Sequence, residues 1–372
     1  FSAGTEPHYS DNCRGSASAA AHRADYRERA AHPYNGAFAF HRENTMIGYA
    51  TLGTTDISVS RIALGCMSYG NALTGIHAWT LDEDAAQPFF RQAVELGINF
   101  WDTANVYQGG SSEEFVGRAI RRYSTRDQIV LATKVWGRMH DGPTGAGLSR
   151  AAIMEQIDAS LTRLGTDYVD LYIIHRFDPT VPVEETMEAL HDVVQAGKAR
   201  AIGASSMWAW QFAKMQHAAD LHGWTRFVSM QDQYNLIKRE EEREMLPFCR
   251  DQGIGVIPWS PMARGRLTRP WDTPSARVET DEFGRTLYAQ TADADRRVVQ
   301  AVERVAQRRG VPMAQVALTW VLQKSEMTAP IIGATRMTHL DDAVAALSLT
   351  LSQEDVAELE APYVPHAVVG FA

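Results

Sequence analysis

The chain has few cysteines, no long apolar run and no excess of positive charge. Its three cysteines, Cys13, Cys66 and Cys249, lie far apart and form no CxxC pair. This argues against a disulfide framework or a structural zinc site, and it is typical of a reducing, cytoplasmic environment. No apolar stretch reaches the roughly 18 residues of a transmembrane helix. The net charge of −9 argues against nucleic acid or an anionic membrane as the main partner.

The N-terminal residues differ in composition from the rest of the chain. They are rich in Ala, Ser, Gly, His and Arg, show little periodicity and contain no apolar signal-peptide core. Met46 directly precedes the first patterned residues. We therefore interpret residues 1–45 as a disordered extension, a tag or the result of a misassigned start, and residues 46–372 as the folded domain.

From about residue 60 the sequence alternates between short apolar runs and amphipathic stretches. The apolar runs predict strands at 61–64, 98–102, 129–134, 168–174, 199–204, 226–231, 254–259 and 329–332. The intervening stretches predict helices at 83–96, 112–122, 150–164, 183–196, 208–221, 240–252, 294–323 in two pieces, and 338–347. This alternation indicates an α/β protein with a single (β/α)8 TIM barrel. The non-periodic segment 264–293 is expected to form a long loop at the barrel mouth.

A doubly wound sheet would show a similar rhythm, but its phosphate-binding fingerprint is missing. The turn after the first predicted strand, residues 65–70 (GCMSYG), does not match G-x-G-x-x-G. The 12 histidines include no H-x-H or H-E-x-x-H motif, so no metal site is expected. The barrel is therefore the preferred architecture, and its chemistry is expected to need no metal.

Four polar residues lie at or just after the ends of three consecutive predicted strands. Asp102, Lys134 and His175 each end an apolar run, and Tyr107 follows Asp102 by five residues. Parallel strands open into an active site at their C-terminal ends, so these side chains are expected to meet. Lys134, held by Asp102, could lower the pKa of the Tyr107 phenol, and His175 could orient a carbonyl oxygen. Because no side chain supplies a hydride, this chemistry needs a nicotinamide cofactor.

At these residues the sequence resembles the aldo/keto reductase family. The matching motifs are residues 100–107 (FWDTANVY), 117–119 (GRA), 132–134 (ATK), 170–176 (DLYIIHR) and 258–261 (PWSP). Residues 202–207 and 363–366 resemble the bacterial aryl-alcohol-dehydrogenase-like branch, which includes 1-deoxyxylulose-5-phosphate-synthase-type proteins. The resemblance implies a barrel that binds NADPH across its mouth. It implies Tyr107 as general acid, tuned by Lys134 and Asp102, with His175 orienting the substrate.

The resemblance also implies which residues hold the cofactor. Asp102 is among the cofactor-binding residues, Ser205 and Gln231 hold the carboxamide of the nicotinamide, and Tyr234 stacks on its ring. Arg336, before a helix start, favours NADPH over NADH through the 2′-phosphate. The remaining implied cofactor positions are Gly65, Cys66, Met67, Ser206, Trp259, Ser260, Pro261, Met262, Gly265, Gly333, Thr335, His339 and Asp342.

The loops at the mouth are expected to select the substrate. Tyr69 and Trp136 favour flat aromatic aldehydes, whereas Arg176 and Arg264 favour phosphorylated sugars or acids; dicarbonyls are also open. The C-terminal tail, residues 363–372, is expected to fold over the mouth, and an oligomer is possible. We therefore predict an NADPH-dependent carbonyl reductase.

Several other readings of the same residues stay open. The site could carry out a redox or isomerising step on a sugar phosphate. Lys134 could form a Schiff base, as in an aldolase. A metal-dependent hydrolase would need grouped histidine ligands. A cofactor-binding regulatory subunit is also open, although channel β subunits of this family carry Asn where this chain has His175.

Overall fold

The computed structural model describes residues 47–74, 79–273, 280–288 and 291–368. The expectation for residues 1–45 lies outside these ranges. In the described part of the chain, no helix is long and apolar enough to cross a membrane.

Eight parallel strands form one sheet. They are β3 (Ala63–Gly65), β4 (Phe100–Asp102), β5 (Val130–Val135), β6 (Val169–Ile174), β7 (Ala199–Ser205), β8 (Phe227–Gln231), β9 (Gly255–Val256) and β10 (Ile331–Gly333). Their order in the sheet is β10-β3-β4-β5-β6-β7-β8-β9. The sheet closes on itself because the Thr328 N–H donates to the Val256 carbonyl (2.8 Å) and the Ile331 N–H donates to the Pro258 carbonyl (2.9 Å). The predicted (β/α)8 barrel is therefore confirmed.

A short antiparallel hairpin precedes the barrel and was not predicted from the sequence. It pairs β1 (Tyr49–Thr51) with β2 (Ser58–Ser60). Its residues Leu52 and Val59 are buried in the barrel interior together with Phe100 of β4. The hairpin thus closes the N-terminal end of the barrel, and only the opposite end remains available for a site.

Helices surround the sheet close to where the sequence predicts them. They are α1 (Glu83–Glu95), α2 (Ser111–Tyr123), α3 (Arg150–Leu164), α4 (Val183–Gln195), α5 (Ala209–His222), α6 (Met245–Gln252), α7 (Glu282–Tyr288), α8 (Ala292–Arg309), α9 (Met313–Leu322), α10 (Thr338–Ala346) and α11 (Gln353–Glu360). Helix α7 and a 3-10 helix, Ala263–Thr268, lie in the segment expected to be an irregular loop. That expectation was therefore wrong for these residues. Helix α11 was also missed.

One glycine of the signature has a packing explanation. Gly117, in α2, lies so close to α3 that a β-carbon there would be 2.0 Å from the Leu164 carbonyl oxygen. No other residue type fits this approach of two helix backbones.

The C-terminal tail packs against the loop that follows β8. The Tyr363 hydroxyl donates to Glu240 Oε1 (2.5 Å), and Lys238 Nζ donates to the Ala367 carbonyl (3.3 Å). This loop lies at the mouth, so the described part of the tail is at the expected end of the barrel. Residues 369–372 lie outside the described residues.

Candidate active site

The centre of the site is a buried ammonium between three oxygen atoms. Asp102 ends β4 and pairs in register with Ala132, so Lys134 lies two residues further along the neighbouring strand. Lys134 Nζ donates to Asp102 Oδ1 (2.6 Å), to the Thr103 carbonyl (2.8 Å) and to the Tyr107 hydroxyl (3.2 Å). These bonds match the three donors of an ammonium group. The structure thus brings together the lysine, carboxylate and phenol singled out in the sequence.

The charge of Lys134 is well stabilised despite its complete burial. Burial lowers the pKa of Lys134, but the charges and hydrogen bonds of Asp102 and Tyr107 outweigh it and raise that pKa above its usual value. The side chain therefore stays an ammonium at neutral pH. A Schiff-base lysine needs the opposite shift, because only the neutral amine is a nucleophile.

The pKa of Tyr107 does not follow the direction that we expected. Burial raises the pKa of the Tyr107 phenol, Lys134 lowers it in part, and Asp102 raises it further. The net shift of this pKa is upward: the expected lowering by Lys134 is present, but burial and Asp102 outweigh it. The phenol is fully protonated at neutral pH, which suits a proton donor. The Lys134 charge then stabilises the phenolate once the proton has left.

His175 lies beside Tyr107, with ring centroids 5.8 Å apart in an edge-to-face arrangement. Burial lowers the pKa of His175 well below its usual value, and the charges of Lys134 and Arg176 lower it further. The imidazole is therefore neutral at physiological pH. A neutral ring still has one N–H to donate to a carbonyl oxygen.

Amide and hydroxyl groups from β7 and β8 continue the site from Asp102. Gln231 Nε2 donates to Asp102 Oδ2 (2.9 Å), and the Ser205 hydroxyl donates to the Gln231 carbonyl (2.7 Å). Both side chains are buried at the mouth. The resemblance implies that these two side chains hold the carboxamide of a nicotinamide.

Asp232 was missed in the sequence, where it stands between two glutamines. Its Oδ1 accepts from the Ser206 N–H (2.9 Å), whereas its Oδ2 is buried without a partner in the described part of the chain. Ser206 in turn accepts, through its hydroxyl, from Trp259 Nε1 (3.0 Å). The only signal in the sequence was its position directly after the predicted strand 226–231.

The loop after β9 adopts left-handed backbone conformations that favour glycine. Ser260 (φ 53°), Ala263 (φ 48°) and Arg264 (φ 54°) are not glycines, and Gly265 (φ 91°) follows them. Such strain clusters at ligand sites. Successive backbone N–H groups in turns of this kind can bind an anion. Pro261, buried, and Met262, partly exposed, belong to the same loop.

Three arginines gather beside this loop without a carboxylate. Burial and the charges of Arg336 and Arg266 lower the pKa of Arg269. Arg336 Nε donates to His339 Nε2 (3.2 Å), and Arg266 lies over the Tyr288 ring. Within residues 47–368, as far as described, none of the three forms an ion pair. A dianionic group would relieve this crowding of like charge.

Several other positions that the resemblance implies for the cofactor are close to Arg336 in the chain. The Thr335 nitrogen lies 3.3 Å from His339 Nδ1, and Asp342 Oδ1 accepts from Gln315 Nε2 (2.9 Å). A β-carbon on Gly333 would lie 3.3 Å from Ser68 Oγ, so the turn after β3 is adjacent. In that turn Gly65 is buried and Met67 is partly exposed. Cys66 is fully buried, and burial raises its thiol pKa well above the usual value, so its side chain cannot reach a ligand.

Three residues predicted to contact cofactor or substrate are buried in the protein instead. Tyr234 is fully buried, stacks on Trp320 (5.3 Å) and donates to Glu242, so the expected stacking on a nicotinamide ring is contradicted. Tyr69 is equally buried against Phe89 and Phe90, so it cannot touch substrate. The Arg264 guanidinium is buried in an ion pair with Asp281, so it is not free to bind a substrate anion.

The other two predicted substrate residues do lie at the mouth. Trp136, directly after β5, is 38% exposed and has a left-handed backbone (φ 146°). Arg176 is partly buried and donates to the His175 carbonyl (2.8 Å). Each is close in the chain to a residue of the catalytic cluster.

Comparison with known proteins identifies the class. Residues 61–363 match the model of the aldo/keto reductase family, and the chain belongs to that family. It is an oxidoreductase that acts on carbonyl compounds, and enzymes of this family use NAD(P)H.

Particular relatives are fungal. The versiconal hemiacetal acetate reductase of Aspergillus parasiticus is 43% identical over 340 residues, which cover 86% of this chain and 98% of the relative. A protein of Schizosaccharomyces pombe provisionally described as an aryl-alcohol dehydrogenase is 42% identical over 347 residues, 87% and 97% of the two chains. A similar protein of Saccharomyces cerevisiae is 37% identical over 341 residues, 86% and 98%. The likeness to aryl-alcohol dehydrogenases is thus supported, whereas the bacterial branch and the 1-deoxyxylulose-5-phosphate-synthase type are not confirmed.

Proposed function

We propose that the chain catalyses the NADPH-dependent reduction of aldehydes or ketones to alcohols, with Tyr107 as the proton donor. The observation that supports this most directly is the hydrogen bond from the buried Lys134 ammonium to the Tyr107 hydroxyl. The hydride to the carbonyl carbon would come from NADPH, held by residues such as Ser205 and Gln231. Tyr107 gives its proton to the carbonyl oxygen, and Lys134 stabilises the phenolate that remains.

Each neighbouring residue has a role in this scheme. Asp102 holds Lys134 in place with a 2.6 Å bond. His175, neutral because of its lowered pKa, donates an N–H to the substrate oxygen and so orients the carbonyl. The proton on Tyr107 is held at neutral pH by the raised pKa of the buried phenol. These residues therefore provide a donor and its stabilisation in one buried cluster.

The cofactor assignment rests on two parts of the mouth. Ser205 and Gln231 would hold the carboxamide, and Trp259, not Tyr234, would provide the aromatic wall, because its indole is partly exposed beside Ser206. Residues 260–265 would follow the pyrophosphate. Arg269, crowded by Arg336 and Arg266 without a carboxylate, favours a 2′-phosphate and hence NADPH over NADH.

Aromatic aldehydes are the proposed substrate class. The exposed Trp136 indole offers a flat apolar surface close to Lys134. Two of the relatives described above are called aryl-alcohol dehydrogenases, which agrees with an aromatic substrate.

The test is a cofactor-consumption assay on the purified protein. NADPH or NADH would be mixed with aromatic aldehydes, dicarbonyls or sugar phosphates, and the absorbance of the reduced nicotinamide would be followed. We expect NADPH oxidation with aromatic aldehydes. The variant Tyr107→Phe should lower kcat by about 10²–10⁴-fold and still bind NADPH.

A matched control uses another buried tyrosine. The Tyr172 hydroxyl has no partner among the described residues, so Tyr172→Phe should keep wild-type turnover. Full activity of Tyr107→Phe would contradict the proposed mechanism.

A further inference from the structure

The turn after β7 depends on a side chain from β8. Ser206 has a left-handed backbone (φ 48°), which is unfavourable for a residue with a β-carbon. Its N–H donates to Asp232 Oδ1 at 2.9 Å, and both residues are almost fully buried. The carboxyl of Asp232 thus stabilises a strained conformation at the edge of the site.

The same serine holds the indole of Trp259. The Ser206 hydroxyl accepts from Trp259 Nε1 (3.0 Å), and the Trp259 N–H donates to the Asp232 carbonyl (2.9 Å). Three strand ends, after β7, β8 and β9, are therefore joined by one chain of hydrogen bonds. At the end of that chain is an aromatic ring that is partly exposed at the mouth.

We propose that Asp232 is a positioning residue which, through Ser206, fixes the plane of the Trp259 indole as one wall of the nicotinamide pocket. This inference rests on the proposed function, because it assigns the pocket to a nicotinamide. Asp232 itself touches neither cofactor nor substrate.

Asp232 is otherwise difficult to explain. Its Oδ2 is buried without a partner in the described part of the chain, and burying such a group is unfavourable. Burial and the charge of Glu241 raise the pKa of Asp232 well above its usual value, against a smaller opposite effect of the Ser206 N–H and Arg176. Stability alone would favour an apolar side chain here. The bond that its other oxygen accepts from Ser206 accounts for the carboxyl.

The first test is a double-mutant cycle on the bond between indole and serine. Ser206→Ala removes the acceptor and Trp259→Phe removes the donor while keeping an aromatic ring. Each should weaken NADPH binding by about five- to tenfold in a fluorescence titration. The double variant should be no weaker than the weaker single variant, because both changes break the same bond. Fully additive losses would overturn the proposed link.

The second test separates positioning from general damage. Asp232→Leu removes the acceptor, whereas Asp232→Asn keeps an oxygen that can accept from Ser206. We expect Asp232→Leu to weaken NADPH binding by about tenfold and to lower kcat, and Asp232→Asn to restore both within about twofold. If Asp232→Leu does not fold, Asp232→Ala takes its place with the same expected losses, and wild-type NADPH affinity in that variant would overturn the proposal.

A cofactor fragment distinguishes positioning from a general loss of structure, because a general loss would weaken binding of the fragment as well as of NADPH. The probe is 2′-phospho-ADP-ribose, which lacks the nicotinamide ring. Its affinity should stay unchanged in Ser206→Ala and Asp232→Leu; an equal loss for fragment and NADPH would overturn the proposal. The matched control is Trp224→Phe. The Trp224 indole stacks on His222 just before β8, so this variant should bind NADPH normally.

The outcomes also distinguish this inference from the proposed function. If wild-type protein does not bind NADPH, the proposed function fails. If it binds and turns over NADPH, Tyr107→Phe is inactive, and all variants at 206, 232 and 259 behave like wild type, then only the positioning role fails.

Discussion

The two ends of strand β6 differ in whether a charged side chain has partners of opposite charge. At its start, Asp170 accepts from Arg126 Nη2 (2.7 Å), Arg200 Nη1 (2.8 Å) and the Leu131 N–H (2.9 Å). Just beyond its other end, Arg176 donates only to the carbonyl of His175 and has no carboxylate partner in the described residues. The first end compensates its charge within the protein, whereas the second leaves charge available for a ligand.

This difference separates residues that stabilise the barrel from residues that serve its chemistry. In TIM barrels the C-terminal ends of the strands carry the active site and the opposite face carries stability. Here Arg176 and the crowded arginines around Arg269 lie at the mouth. Uncompensated charge in a folded protein is unfavourable by itself, so it marks the places where a bound molecule contributes.

The contrast between the two ends is tested most strongly by removing the compensated charge of Asp170. Asp170→Asn should lower the free energy of unfolding by about 3 kcal/mol or more, because it leaves Arg126 partly buried without its carboxylate. Urea denaturation measures this loss. The folded fraction should reduce aldehydes with unchanged kcat.

A surface ion pair provides the control for Asp170→Asn. Asp192 pairs with Arg150 at an exposed position, and Asp192→Asn should change stability by less than about 1 kcal/mol. A large fall in kcat for Asp170→Asn in folded protein would contradict the division between the two ends.

How far the sequence could predict the site depends on where each residue lies relative to a strand. Asp102, Lys134 and His175 lie in or next to regular strands, whose alternation and register fix their direction. Tyr69 and Tyr234 lie in irregular turns beyond the strand ends, where the local backbone decides, and both point into the core. No pattern of period two extends to such positions.

Long-range partners were a second obstacle. Arg264 looks free in the sequence, but Asp281 neutralises it from 17 residues away. Asp232 looks like part of a polar run, and only the folded backbone shows that it meets Ser206. The sequence also shows no sign of the hairpin of β1 and β2, because these strands contain too few apolar residues to form a recognisable pattern. The fold and the contacts of the catalytic cluster were therefore accessible from the sequence, whereas the contact between Asp232 and Ser206 was not.

Glu241, in the loop after β8 and next to the mouth, is a further buried carboxyl whose charge can be tested. Burial raises the pKa of Glu241 from its usual value of 4.5 to about 7. The charge of Lys238 lowers this pKa in part, and the charge of Glu240 raises it further. The charged form thus destabilises the fold; the penalty is absent below pH 4.5 and complete above about pH 7. Glu241→Gln should raise the free energy of unfolding by roughly 2–3 kcal/mol at alkaline pH and have little effect in acid.

The preceding residue is a control of opposite sign. Burial raises the pKa of Glu240, but bonds from the Tyr363 hydroxyl and the His366 N–H outweigh it and lower that pKa below its usual value. Its stabilisation is present above the usual pKa and lost as pH falls. Glu240→Gln should therefore destabilise the protein at neutral pH, with the effect decreasing in acid. The same pH trend for both variants would contradict this assignment.

Removing one arginine of the crowded cluster should change the choice of cofactor. Arg269→Ala is expected to weaken NADPH binding by about tenfold or more and to leave NADH binding unchanged, because only NADPH carries a 2′-phosphate. Calorimetric titration with both cofactors measures this ratio. Arg250→Ala, in an exposed pair with Glu326, is the control and should change neither affinity. Equal losses for both cofactors would argue against a phosphate site.

The smallest expected effect concerns the exposed wall of the mouth. Trp136 is 38% exposed directly after the strand that carries Lys134, so its indole is available to a substrate ring. Trp136→Ala should raise KM for an aromatic aldehyde about three- to tenfold, as expected for one lost aromatic contact. Turnover of a small aliphatic aldehyde should not change, because such a substrate cannot reach across to the indole. An equal effect on both substrates would mean that Trp136 supports the loop rather than the substrate, and would leave the site without an identified aromatic contact for its substrate.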